Sequence, residues 1–126
     1  MKIATNIVGG LLGFVFVAIS LMVLLHVAPM PPPTPGTPAA SFMDAFVPTG
    51  WLTFVKICEL IGGILVAVPK TRNFGLLVLG PIVLNILAFH VLIMKGQGLF
   101  GPPLLVAFLS LFLLWAGRRS FAGLMN

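Results

Sequence analysis

Four stretches of this chain, about 4–27, 50–68, 74–94 and 102–117, approach the length and composition of membrane-crossing helices. A spanning helix needs ~20 mostly apolar residues. Together these stretches fill most of the 126 residues, and only 7% of the chain is charged against 60% hydrophobic. A water-facing surface usually carries ~25% charged residues or more. The sequence therefore predicts an all-α polytopic membrane protein, a single membrane domain over 1–126. Its expected architecture is a four-transmembrane-helix bundle with a Pro-rich outer loop at 28–49 and a short interfacial helix in that loop. Met1-Lys2 and the run behind it resemble a secretory signal. That apolar run reaches Ala28, longer than the ~7–15 residues of a signal core, so a retained first helix is expected.

Within the first stretch, Gly9 and Gly13 form a GxxxG, which lets another helix come close. The partner is expected to be a helix of the same bundle, or else another subunit. Pro29 to Pro38 cannot be helical, because proline lacks the amide proton and clashes with the preceding turn. An extended polyproline-type run across the surface is expected there. Ser41-Phe42-Met43-Asp44 resembles a capping box and predicts a helix over about 42–47, lying at the interface. Trp51 marks the interfacial start of the second span. Pro69 to Asn73 reads as a tight basic turn, Pro81 as a bend in the third span, and Pro102-Pro103 as the opening of the fourth.

The net charge of +5 is spread singly or in pairs at helix ends. That is the pattern of membrane topology and not of a phosphate-binding patch, so nucleic acid is not an expected partner. Lys2, Lys70, Arg72, Arg118 and Arg119 fall on the side holding both termini, and Lys95 alone falls on the other. By the positive-inside rule both termini are cytoplasmic and the Pro-rich loop faces outward.

Four polar residues stand against this apolar background. Lys56 and Glu59 lie in the second stretch, Asn85 and His90 in the third. A charge at mid-membrane costs roughly 2.5–3.5 kcal/mol or more, so such groups tend to face one another or a cavity. At 1.5 Å per residue, Lys56 and Glu59 lie roughly 8 and 12 Å below the outer interface, and His90 and Asn85 roughly 8 and 15 Å. His26 ends the first stretch on the same side. Lys56 and Glu59 are i, i+3 and share a face. Asn85 and His90 are about 140° apart and share one interior only if Pro81 distorts the helix.

Two readings of this group stay open. It is either a network that fixes helix register, with Lys56 alternatively snorkelling to headgroups, or the lining of a cavity for a quinone or similar amphipathic ligand. In the second case His90 exchanges a proton and Glu59 relays it. Ligation of haem by His26 and His90, or of a chlorophyll or haem by His90 alone, is a further alternative. No nucleophile–base pair, phosphate loop or zinc-type cluster occurs. Cys58 is the only cysteine and reads as a packing residue.

The run Lys56 to Pro69, with its E-x-x-G-G at Glu59–Gly63, and the N-x-x-x-F-H at Asn85–His90 resemble the DoxX family of small four-helix membrane proteins. The His-x-x-P-x-P-P-P run from His26 and the segment Phe42–Thr49 resemble one bacterial branch of it. The resemblance implies a compact bundle in a bacterial cytoplasmic membrane. It also implies an association with membrane redox chemistry, since the family takes its name from a subunit of a thiosulfate:quinone oxidoreductase. Glu59, Asn85 and His90 are the positions that carry over. The basic residue frequent in the family's first helix has no counterpart between Lys2 and His26. The expected function is an accessory subunit of a larger membrane redox or electron-transfer complex, not catalytic on its own, with membrane lipids and that complex as partners. The alternatives are a stand-alone quinone-linked oxidoreductase component and a non-catalytic membrane scaffold.

Overall fold

In a computed structural model, residues 2–27 and 32–125 are described, and they contain helices and no strand. Helix α1 spans Lys2–Leu24, α2 Pro38–Phe46, α3 Trp51–Ala67 and α4 Arg72–Ala88. Helix α4 runs on into a π-helical turn, Phe89–Ile93, and α5 (Pro102–Ala116) and the short α6 (Arg118–Ala122) follow. The long helices fall within a few residues of the four apolar stretches. Helix α1 packs on α3 and α5, and α4 packs on the same two, so α1, α3, α4 and α5 close into a ring. The core lies between them, built on Leu12 and Phe16 of α1, Val66 of α3, Leu79 and Val83 of α4, and Val106 and Leu113 of α5.

Large apolar side chains also cover the outside: Phe14, Phe54, Phe74, Leu84, Leu92 and Phe108 are all exposed. The buried set meanwhile includes Ser20, Glu59 and Arg72. Apolar outside and polar within is the arrangement a lipid environment favours. Helix α1 and the continuous Arg72–Ile93 helix are each long and apolar enough to cross a membrane. A third crossing results if α2 and α3, bent by 86° at their junction, count as one broken span. Helix α5, with 15 residues, is shorter than a usual span.

The Gly9–Gly13 face is used inside the chain. A Cβ on Gly13 would stand 2.6 Å from the Gly63 carbonyl oxygen, so α1 and α3 touch backbone to backbone. Helix α1 stops at His26, whose φ of 55° is left-handed. His26 N–H bonds back to the Val23 carbonyl and Val27 N–H to the Met22 carbonyl, the paired closure of a Schellman motif without its usual glycine.

One local expectation, the start of α2, needs correction. Helix α2 starts at Pro38, four residues before the expected 42. Its cap is Thr37, whose hydroxyl accepts from Ala40 N–H at 3.4 Å, and the Ser41 box is not used. Proline at the first helical position has no amide proton to lose there, which is why Thr37-Pro38 wins. Pro81 sits inside α4 without ending it, and the irregular turn comes eight residues later, at Phe89. The Pro-rich run is described only from Pro32 onward, where 32–34 have no regular structure. Its residues 28–31 lie outside the described residues.

Candidate ligand-binding site

Helices α1, α2, α3 and α4 enclose a cavity of about 300 Å³ at the end of the bundle where α1 and α4 finish. Lys56, Glu59, Asn85 and His90 all line it. The wall is otherwise apolar, with Val23 from α1, Leu52 and Val55 from α3, and Ile82 and Ile86 from α4. Mostly apolar walls with a few convergent polar groups are the usual make-up of a small-molecule site.

Lys56 Nζ lies 3.2 Å from Glu59 Oε2 and 3.5 Å from Oε1, one turn apart on α3. Glu59 is only 3% exposed, while the Lys56 side chain keeps 18%. The pair explains how a carboxylate stays at this depth: Lys56 supplies the opposite charge and keeps donor capacity toward the cavity. Gly62 and Gly63, one turn on, let α4 and α1 close over it, with Leu79 and Phe16 as their neighbours.

Asn85 and His90 meet the cavity without sharing a helix face. Ile82, Asn85, Ile86, Phe89 and His90 sweep an arc of about 140° on α4, with the two polar residues at its edges and apolar ones between. The cavity is wide enough to take in the whole arc. His90 stands in the π-helical turn, and its Nδ1 is 2.8 Å from the Ile86 carbonyl. A carbonyl can only accept, so Nδ1 carries a proton in this contact, and in the neutral tautomer with that proton Nε2 is the acceptor. Gly98, at φ +75°, folds the following loop against the imidazole edge.

Helix α2 covers the mouth through aromatic contacts. Phe42 meets Phe89 edge-on at 4.9 Å between ring centroids, and Phe46 meets Trp51 at 4.6 Å. Phe42, Met43 and Trp51 thereby form the roof. The expected helix over about 42–47 covers this part of α2. Its contact with Phe89 joins segments distant in sequence. His26 does not line the cavity; it is the stop of α1. Among the described residues no group of three or more histidine, cysteine, aspartate or glutamate side chains could hold a metal ion.

Two buried polar residues were missed by sequence reasoning. Arg72 was read as part of a basic turn. It is 7% exposed, with Nε donating to the Val66 carbonyl at 2.9 Å and Nη1 to Asn6 Oδ1 at 3.0 Å. Thr71 Oγ1 donates to the Leu65 carbonyl at 2.8 Å, so this pair satisfies the last carbonyls of α3. Asn6, a polar residue near the start of α1 at the same bundle end, was the available signal. Ser20 of α1 is fully buried, and its hydroxyl has no hydrogen-bond partner among the described residues. Gly13 and Phe16 meet Gly63 in antiparallel packing, which carries Ser20 to the level of Glu59.

The chain matches no protein-family model, no curated protein and no solved structure.

Proposed function

We propose that this protein is a small integral membrane protein that binds an amphipathic, ring-bearing ligand of the quinone or quinol class in this cavity. The observation that carries the reading is the convergence of Lys56, Glu59, Asn85 and His90 on one apolar cavity of about 300 Å³. A quinol hydroxyl would donate to His90 Nε2, while a ring oxygen would accept from Lys56 Nζ or the Asn85 amide. The apolar walls and the Phe42 and Trp51 roof would hold the ring. Asn85 is exposed at the edge of α4, which leaves a way out for a lipid-like tail.

In this reading α1, α3, α4 and α5 are four spans, both termini are cytoplasmic, and the cavity lies toward the outer face. The charge distribution supports that orientation. The resemblance to DoxX proteins supports a bacterial cytoplasmic membrane and a role as accessory subunit of a larger redox assembly. The test is extraction of the protein purified in mild detergent, with analysis of bound quinones. Wild-type protein is expected to carry quinone and His90→Ala to lose it without unfolding. Quinone-free wild type, or equal retention by the variant, overturns the proposal.

A further inference from the structure

The opposite end of the bundle holds a second, unrelated feature. Trp115, Ala116, Gly117, Arg118, Arg119 and Ser120 surround a recess of about 330 Å³ where α5 turns into α6. Gly117 abuts Asn73 of α4, and Arg72 reaches Asn6 and Gly9 of α1, so this elbow shares its end with the starts of α1 and α4. Lys2, Lys70, Arg72, Arg118 and Arg119 are all at this end, and neither of the chain's two acidic residues is. At the cavity end Lys56 and Lys95 are matched by Glu59 and Asp44. The whole net charge of +5 therefore resides at one end.

Arg118 is held in place at the elbow. Its guanidinium stacks over the Trp115 ring at 4.6 Å, and Nη1 donates to the Trp115 carbonyl at 2.8 Å. Arg119 is exposed and makes no hydrogen bond or ion pair among the described residues, so all its donors remain available. Below the two arginines, Leu105, Phe108, Leu111 and Trp115 share one exposed apolar face of α5. Two cations above an apolar strip match the division of a phospholipid into phosphate and acyl chain. A phosphate at the arginines stands at the head of this strip, so an acyl chain joined to it has an adjoining apolar path that a free anion does not use.

We propose that the Trp115–Ser120 elbow is a binding site for an anionic phospholipid. Arg119 contacts the phosphate, Arg118 fixes the edge of the site, and an acyl chain lies along Phe108 and Leu111. This site does not depend on the ligand assigned to the cavity.

The test is native mass spectrometry of the delipidated protein titrated with phosphatidylglycerol or with phosphatidylcholine of the same chains. Variants Arg119→Gln, Arg119→Lys and Lys95→Gln are run beside it, and sodium phosphate is added as a competitor at constant ionic strength. Phosphatidylglycerol is expected to bind about fivefold more tightly than phosphatidylcholine, a preference that Arg119→Gln removes. Arg119→Lys and Lys95→Gln keep it, and phosphate does not displace the lipid. Equal binding of the two lipids overturns the proposal, as does an undiminished preference in Arg119→Gln. Displacement by phosphate would make the elbow a free-anion site and overturn it as well.

Discussion

Gly9 of α1 and Arg72 of α4 occupy what would be the same space if Gly9 had a side chain: a Cβ there would run into the guanidinium. The absence of that atom lets Arg72 lie across α1 and reach the end of α3. Gly9→Ala is expected to cost about 1–3 kcal/mol, the range for overpacking a tight site. Gly10→Ala, which meets nothing within 4 Å, is expected to be neutral or slightly stabilising. Unfolding of both variants in detergent by a denaturant series measures the contrast.

Arg72 itself serves three acceptors, the Val66 and Ala67 carbonyls and Asn6 Oδ1. Arg72→Met keeps much of the stem and strands those acceptors. A loss of about 2–4 kcal/mol is expected, since each buried group left unpaired costs about 1–3 kcal/mol. Arg72→Lys should recover only part, because an ammonium lacks the planar spread of donors. Equal stability of the Lys variant and wild type would show that charge alone matters there.

The Lys56–Glu59 pair should respond asymmetrically. Glu59 is the deeper partner, while Lys56 has a long stem and partial exposure through which to reach out. Lys56→Met is expected to cost about 3 kcal/mol, within the range for breaking a buried pair, and Glu59→Met less. The double variant should be more stable than Lys56→Met alone, because it leaves no charge stranded. A double-mutant cycle read by thermal unfolding decides this, and strict additivity would show that the two groups do not act as a pair.

Gly98 tests how His90 is held. Its φ of +75° is left-handed, and an added Cβ would meet the imidazole edge at 3.6 Å. Gly98→Ala is expected to destabilise by about 1 kcal/mol, from backbone strain. It is also expected to weaken quinone retention more than Gly96→Ala does. Gly96 is equally left-handed but has no such neighbour. Matched retention by the two variants would detach Gly98 from the site.

Much of this arrangement was legible in the residues. Apolar run length located the long helices, and the cost of burying charge singled out Lys56, Glu59, Asn85 and His90, which do line one cavity. What escaped depends on contacts between distant segments. Arg72 follows a turn, and nothing local says that its side chain folds back onto α3 and α1. Phe42 and Phe89 are far apart in sequence and meet only once α2 lies across the mouth. His26 ends α1 as the apolar run indicated, but it does not line the cavity. Proline misled at one point for a simpler reason: Pro38, in a run read as non-helical, begins a helix.

The brevity of α5 has a consequence for the surrounding bilayer. Fifteen residues rise about 22 Å, against about 34 Å for the 23 residues of its neighbour α1. Hydrocarbon is typically about 30 Å thick. With α5 as a span, lipid on that flank must thin by several ångströms while lipid against α1 need not, so the membrane boundary is uneven around the protein. Such mismatch costs fractions of a kcal/mol per ångström. A second protein with an equally short helix could share the thinned patch, and that saving alone would favour association along the α5 flank.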